Sequence, residues 1–546
     1  MNARRTIYTL ILACALCAST QTQAAEQAAA PLFSDIGNHN APITTAAEKA
    51  QQYFNQGLML TYGFNHAEAV RSFRAAQAAD PACAMCFWGE AYALGPNINK
   101  PMADSDVAAA FSAASEAAGL AASATTREQA YIHALQARYQ ATAVADRKPL
   151  DQAFADAMAE VVAHYPDDLD AAALYAESLM NVMPWNYYTS DGKSKPMTDV
   201  VIATLESILA RNPAHAGAIH FYIHAVEASD QPGRAEAGAD RLADLAPGLG
   251  HLVHMPSHIY LRIGRYHDAT KANELASLAD ESYINQCRAQ GFYPALYYPH
   301  NIHFLWYTAS LEGRSKIAIE AAHKLAENVP RNLIGDIPLL EQFLAVPMFG
   351  LVRFARWDEI LEQEQPPANY HFATAMWHAA RGIALSAKSR ADEAQQERAG
   401  FAENSAHFGD DAFQKFGYPA NTLLGIAEHL LDAALAGSTD ARVAKLEAAV
   451  TAEDSLPYME PPYWFFPVRQ VLGAALLDLG RAADAEKVYR LDLEKVPDNG
   501  WSLQGLAASL AAQSRDDEKT EVVGLLAKAW SRADIGTGLA ARLKYF

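Results

Sequence analysis

Small and apolar side chains recur at helical spacing along most of the chain, beginning at about residue 47. In the first such stretch Gly57 is followed by Ala69, Phe73 and Ala76, and Pro81 ends the pattern. Small residues at these offsets let two antiparallel helices approach closely, and each helix pair then buries its remaining apolar face on the next. The pattern therefore predicts an all-α chain of stacked helix pairs.

The same offsets recur in four later parts of the chain. They are occupied by Tyr260, Gly264, Ala269 and Ala276; by Gly313, Ala318, Ala322 and Pro330; more weakly by Gly382 and Ala394; and by Gly473, Gly480, Ala485, Tyr489 and Pro497, before Trp501 opens another helix. With these positions the chain resembles the tetratricopeptide-repeat (TPR) superfamily over most of its length. The resemblance implies a right-handed α-solenoid whose concave face is formed mainly by the first helix of each pair. It implies an architecture and no particular reaction.

Periodicity and composition divide the chain into five parts. Residues 1–24 are predicted to be a signal peptide, and residues 25–45 form an aperiodic linker. Residues 46–330 are predicted to be an N-terminal TPR-like solenoid that contains the histidine-rich region described below. Residues 331–460 read as degenerate helical repeats, and residues 461–546 as C-terminal TPR-like repeats.

Two aromatic insertions interrupt the repeat period. Residues 184–192 contain Trp185, Tyr187 and Tyr188, and residues 286–299 contain Phe292, Tyr293, Tyr297 and Tyr298. Aromatic residues in such loops either cap the packed core or shape a ligand pocket. Packing is the commoner role, and their placement on both sides of the histidine region adds some weight to a functional one.

The N-terminus has the features of an export signal. Arg4 and Arg5 precede a short apolar segment at residues 7–18, and small residues precede a cleavage position that would make Ala25 the mature N-terminus. A periplasmic or secreted location follows. Residues 11–14 also resemble a bacterial lipobox, so a lipid anchor at Cys14 is the alternative, and the export route stays open.

Charge and cysteine content narrow the function classes. A formal net charge of −20 without a basic stripe argues against a nucleic-acid partner. No later apolar run is long enough to span a bilayer. In an oxidising compartment Cys83 and Cys86 allow either a small disulfide or inert packing, and no second cysteine pair completes a zinc site.

Histidines concentrate in one region, where nine of the 18 lie between residues 212 and 307. Their spacing repeats: His220 to His254 and His224 to His258 are each 34 residues, whereas His251 to His300 is 49 residues. The difference of 15 residues corresponds to the second aromatic insertion. Pairs of histidines therefore recur in step with the repeat unit.

The repeat frame places these histidines on one face of three successive helices. If Gly264 and Gly313 are position 15 of their repeats, the three repeats begin at residues 216, 250 and 299, and the histidines fall at positions 2, 5 and 9. In TPR proteins these positions of the first helix point into the concave groove. The histidines concerned are His220, His224, His251, His254, His258, His300 and His303. His215 and His267 fall outside this set.

Helices that pack about 8–10 Å apart bring imidazoles from neighbouring repeats within reach of one ion, because metal–nitrogen bonds are about 2.0–2.1 Å. The pattern predicts one or two transition-metal ions in the groove, with copper or zinc favoured and iron also compatible. There are two alternatives to a metal site: a groove that binds a peptide through neutral histidines, and buried histidines with a structural role. Glu227 is the candidate catalytic residue, as a general base, a ligand or an orienting partner, and Glu177 is a weaker candidate.

Three functions agree with these features. The first is an exported metalloprotein, with metal-dependent oxidoreductase or hydrolase activity and a small-molecule or peptide ligand in the groove. The second is a TPR scaffold that binds peptides or proteins, and the third is a metal-binding or delivery protein without catalysis. Peptide-binding TPR grooves usually present Lys, Arg and Asn at the positions that hold histidine here, which favours the metalloprotein.

Overall fold

The computed structural model describes residues 30–189, 192–287, 292–415 and 417–536. Within these ranges the chain is helical, and its extended pairings are two isolated bridges, Asn97 with Lys100 and Tyr188 with Ser194. The all-α prediction is confirmed. The predicted signal peptide and Cys14 lie outside the described residues.

The chain forms two compact units, of which the first comprises described residues 30–187 and 196–218. Successive helices of this unit pack side by side. They are α1 (Glu48–Tyr62), α2 (His66–Ala79), α3 (Ala84–Leu94), α4 (Asp104–Leu120), α5 (Thr126–Gln136), α6 (Lys148–His164), α7 (Leu169–Val182) and α8 (Pro196–Arg211), with a 3₁₀ turn at Ala121–Ser123.

Phe73 shows how the small residues of the repeat permit this packing. A Cβ atom added to Gly57 on α1 would lie 2.6 Å from the Phe73 ring, and one added to Gly89 on α3 would lie 2.3 Å from it. Both distances are far below van der Waals contact, so only glycine admits the aromatic ring between these helices. The predicted pairing of small and aromatic positions is therefore present in the first repeat.

The segment before α1 lies outside the regular helices and is packed on them. Tyr53 donates a hydrogen bond to the carbonyl oxygen of Ala30 (3.0 Å), and Glu128 accepts the backbone N–H of Thr44 (2.6 Å). Cys83 and Cys86 form a disulfide at the start of α3. The two hydrogen bonds hold residues 30–45 in place on the first unit.

The second unit comprises described residues 188–189, 192–195 and those from 219 to 536. Its helices are α9 (Ala216–Val226, which begins in the first unit), α10 (Glu236–Leu245), α11 (Gly250–His254), α12 (Pro256–Arg262), α13 (Tyr266–Cys287), α14 (Tyr298–Leu311), α15 (Ser315–Glu327), α16 (Val346–Arg353), α17 (Trp357–Glu362), α18 (His371–Ala387), α19 (Ala391–His407), α20 (Asp411–Gln414), α21 (Ala420–Ala434), α22 (Thr439–Asp454), α23 (Val468–Asp478), α24 (Ala482–Lys495), α25 (Gly500–Ala512) and α26 (Asp516–Ala529). Short helical turns lie at Pro232–Ala235, Tyr293–Tyr297, Arg331–Leu333 and Pro338–Leu344. The predicted boundaries at 330 and 460 fall inside this unit.

Pro256 interrupts the helix between α11 and α12 without breaking its direction. Proline has no backbone N–H to donate, so the regular hydrogen-bond pattern is interrupted and the helix divides into two short helices. Met255 nevertheless keeps helical angles, with φ of −51° and ψ of −37°. Side chains before and after the proline therefore continue along one helical face.

Among the residues that the structure describes, no helix combines the length and the apolar character needed to cross a bilayer.

Candidate metal centre

Six of the seven predicted histidines come together in the second unit as two groups of three. Within each group, the nearest ring nitrogens all lie within 4.8 Å of one another. The first triad contains His220 and His224 from α9 and His251 from α11. The second triad contains His254 from α11, His258 from α12 and His300 from α14.

One pair of Nε2 atoms lies close together in each triad. His220 Nε2 lies 3.1 Å from His251 Nε2, and His254 Nε2 lies 2.9 Å from His258 Nε2. Ligand nitrogens about 2.05 Å from a tetrahedral ion are separated by about 3.3 Å, and at an octahedral ion by about 2.9 Å. The observed separations therefore suit imidazoles that share an ion.

Glu227 connects the two triads on their outer side. His224 Nδ1 lies 3.0 Å from Glu227 Oε1, and the other carboxylate oxygen, Oε2, contacts His258 Nδ1. Glu460 Oε2 is also 3.2 Å from His258 Nδ1. Carboxylates that hold Nδ1–H orient the ring and leave Nε2 as the ligand atom, which is the usual outer arrangement of histidine metal sites.

Further contacts fix α11 beneath the triads. His254 Nδ1 lies 2.6 Å from Asn273 Oδ1, so Nδ1 carries the hydrogen that it donates to this amide oxygen. The backbone N–H of His251 donates to the Tyr293 hydroxyl (3.2 Å), which in turn donates to Asp280 Oδ1 (2.8 Å). Tyr293 belongs to the second aromatic insertion, which therefore supports the site from outside its ligand set.

The histidines are enclosed, in contrast to the expected open groove. Five of the six are at most 3% exposed, and His300 is half-buried. Burial lowers the pKa of His251, His254 and His300 well below the usual value of 6.5, and the neighbouring imidazoles lower it further. Neutral imidazole is the form that binds metal ions.

The carboxylates reverse this effect at His258, whose Nε2 atom must therefore lose a proton when it binds a metal ion. Burial alone would lower the pKa of His258, but the charges of Glu227 and Glu460 and their hydrogen bonds outweigh it and raise the pKa to about 10. Burial works against ionisation of Glu227, yet the charge of His258 and the hydrogen bond from His224 hold the pKa of Glu227 below its usual range. Burial raises the pKa of Glu460.

Glu460 was not predicted from the sequence. It lies in the segment 456–467, which connects α22 to α23 and contains four prolines and five aromatic residues. Tyr458 donates a hydrogen bond to the Glu460 carboxylate, and Arg262 of α12 stacks on the Tyr458 ring at 5.3 Å. The composition of this segment matches that of the two recognised insertions, which is the signal that would have identified it.

His303 does not join either triad. Its ring lies nearly parallel to that of Trp306, at 5.6 Å between centroids, and meets the Phe343 ring edge-on at the same distance. Burial in this aromatic environment lowers the pKa of His303 to about 3. Among the described residues, His303 belongs to none of the groups of three side chains that could hold a metal ion, in contrast to its prediction as a ligand.

The residues set aside or ranked lower in the sequence lie elsewhere. His215 is in the first unit, where its Nε2 lies 3.3 Å from Asp170 Oδ1. His267 Nδ1 lies 2.9 Å from Glu312 Oε1. Glu177, also in the first unit, accepts a hydrogen bond from the Tyr92 hydroxyl (2.5 Å). None of the three contributes to the triads.

No family model matches the chain, and no curated protein matches it. Solved structures similar to it include the human IFIT1 dimer with m7Gppp-AAAA, at 11% identity over 89% of this chain and 91% of that chain with a TM-score of 0.31. Yeast Tom70 is 11% identical over 89% and 92%, with a TM-score of 0.29. The TPR domain of P58(IPK) is 10% identical over 86% and 99%, with a TM-score of 0.23. The repeat architecture rests on the helix pairs within the chain itself.

Proposed function

We propose that this protein is an exported TPR-like metalloprotein that binds transition-metal ions through its buried histidines. The observation that carries this proposal is the approach of Nε2 atoms inside each triad while Nδ1 atoms face Glu227, Glu460 and Asn273. Structural histidines usually satisfy both ring nitrogens with backbone or polar side chains. Here one pair of Nε2 atoms faces inward in each triad, at separations of 3.1 Å and 2.9 Å that suit two ligands of one ion as well as a hydrogen bond between the rings.

The donor set indicates the kind of ion. Imidazole nitrogens without a thiolate suit copper, zinc, iron and nickel, and the expected exported location favours copper or zinc. A redox-active ion would support an oxidoreductase reaction, whereas zinc would support hydrolysis by activating water. In either case Glu227 and Glu460 orient the imidazoles, and Glu227 does so as an ionised carboxylate that contacts the Nδ1 atoms of His224 and His258.

The burial of the histidines helps to distinguish between the alternative functions. A peptide held in a TPR groove needs side chains that reach solvent, but five of the six clustered histidines are at most 3% exposed. A delivery protein needs ligands that a partner can approach, which the same enclosure hinders. A resident ion therefore agrees best with the site, and a peptide-binding role would have to use another surface.

The disulfide between Cys83 and Cys86 supports export. Such bonds persist in oxidising compartments and are rare in the cytosol, so the bond agrees with the signal peptide expected at residues 1–24. A periplasmic or secreted location is part of the proposal.

Elemental analysis tests the proposal most directly. The mature chain is purified without chelators, reconstituted separately with copper, zinc and iron, and desalted before measurement. At least about one equivalent of one metal is expected to remain bound, because buried imidazole sites bind these ions tightly. Retention below about half an equivalent for every metal, with native helicity by circular dichroism, would overturn the proposal.

A further inference from the structure

The two triads are one arrangement repeated once along the chain. Each takes two histidines four residues apart from one repeat, at positions 5 and 9, and a third from position 2 of the next repeat. The members are His220, His224 and His251 in the first triad and His254, His258 and His300 in the second. The 34-, 34- and 49-residue spacings relate corresponding members, with the insertion accounting for the longer one.

We propose that each triad binds its own ion, so that the chain holds two equivalent metal sites generated by the repeat. This inference rests on the proposed function, since it presupposes metal binding. A single ion with four to six ligands would have to draw both triads to one point. Instead, the close contacts are inside the triads, at 3.1 Å and 2.9 Å between Nε2 atoms.

The positions of the ring nitrogens separate the triads, whereas the ring centroids do not. Centroids lie 5.9 Å apart for His251 and His254 between the triads, and 6.0 Å apart for His224 and His251 inside one. Among the described residues, the groups of three histidines whose ligand atoms lie within 4.8 Å of one another are the two triads. His251 and His254 lie on the same short helix with nearly parallel rings, yet each directs Nε2 to a different partner, His220 or His258. The helix α11 therefore contributes one ligand to each of two sites.

The third repeat shows where the array ends. His303 occupies position 5, as His220 and His254 do, but position 9 of this repeat is Tyr307 and not histidine. A third triad lacks its second member, and the His303 ring packs on Trp306. His303 is therefore a natural control, because it shares the repeat position of two ligands without belonging to a site.

The test is the metal stoichiometry of the full mature chain, stripped with a chelator and titrated separately with copper(II) and zinc(II). Wild type is expected to retain about two equivalents of the metal that it binds, one for each histidine triad. His220→Ala and His300→Ala should each retain about one equivalent, and the double variant none. His303→Ala should retain the full wild-type amount. Circular dichroism confirms that each variant is folded, and His220→Gln and His300→Gln replace any alanine variant that is not.

Two results would overturn the inference and leave the proposed function intact. One is that wild type retains a single equivalent of metal, which is lost in His220→Ala and also in His300→Ala. This would mean that both triads share one ion. The other is loss of all metal from either single variant while helicity is unchanged. If wild type binds no metal at all, both the inference and the proposed function fail.

Discussion

Glu227 is the residue on which both triads depend. Its two carboxylate oxygens hold the Nδ1 atoms of His224 in one triad and His258 in the other, and its side chain is buried. The equivalent position in the next repeat, position 12, is Leu261, so the repeat does not supply a second carboxylate there. Glu460 from segment 456–467 contacts His258 in addition.

Glu227→Gln should therefore weaken metal binding at both triads. A glutamine accepts a hydrogen bond through one oxygen only and presents a donor where the second imidazole also donates. Loss of such an orienting partner costs about 10–100-fold in metal affinity. The measurement is competition with a chelator of known affinity. Glu236→Gln, on the surface of α10, is the matched control and should leave affinity unchanged; weakening of only one site by Glu227→Gln would contradict the bridging role.

Because Gly250 has no side chain, the buried Asp280 carboxylate can lie against the start of α11. A Cβ atom at this position would lie 1.9 Å from Asp280 Oδ1 and 3.0 Å from the Ala276 carbonyl oxygen. Gly250→Ala should therefore displace Asp280 or α11, destabilise the protein by about 1–3 kcal/mol and reduce metal binding. Urea denaturation and metal retention measure the two effects.

Gly425 is the control for Gly250, because it lies inside α21 with nothing within 4 Å of an added Cβ atom. Gly425→Ala should stabilise the protein by about 0.5–1 kcal/mol, since alanine loses less backbone entropy in a helix. If both alanine substitutions have the same sign, the contact with Asp280 does not decide the outcome at Gly250.

At the scale of elements, three aromatic insertions surround the repeats that carry the histidines. Tyr188 of the first insertion donates a hydrogen bond to the carbonyl oxygen of Ala225 on α9 (2.6 Å). The second insertion supplies Tyr293 beneath α11, and segment 456–467 supplies Glu460. Regular helix pairs therefore supply the ligands, and irregular segments add positioning groups to those that the repeats supply, Glu227 and Asn273.

The buried carboxyl group of Glu341 makes the stability of the protein depend on pH. Its carboxylate accepts the backbone N–H of Ala373 (2.9 Å) in the first turn of α18. Burial raises the pKa of Glu341 from 4.5 to about 7, against the opposing effect of backbone hydrogen bonds. The folded state therefore binds this proton more tightly than the unfolded chain, and the associated stability, complete below pH of about 4.5, is lost as pH rises to about 7.

Glu341→Gln should remove that loss. Between pH of about 4.5 and 7, the free energy of unfolding of wild type should fall by up to about 3 kcal/mol more than that of the variant. Urea denaturation at a series of pH values measures the difference, and the comparison cancels the other titrating groups. Parallel pH profiles for the two proteins would show that Glu341 titrates normally.

At the scale of the whole molecule, the candidate ligands all belong to the second compact unit. Saturation with metal at about 100 times the dissociation constant stabilises the binding-competent state by about 2.7 kcal/mol. Hydrogen exchange should therefore slow by up to about 100-fold in peptides from α11, α12 and α14. Peptides from α1 to α6 are the internal control and should exchange at the same rate with and without metal. Uniform slowing in both units would contradict a site confined to the second.

The sequence alone determined the helical class, the repeat frame and the register of six clustered histidines. These properties are local: a helical face is set by residues three or four apart, and a repeat returns that face at a constant interval. The i, i+4 pairs His220 with His224 and His254 with His258 could therefore be placed before the fold was known.

The tertiary structure decided the rest. Packing between segments far apart in the chain encloses the site, brings Glu460 next to His258 and holds His303 away from the triads. Glu460 is separated from His258 by 202 residues, and no repeat period relates the two positions. Periodicity specifies which face of a helix a side chain occupies, whereas what covers that face follows from how distant and irregular segments fold over it.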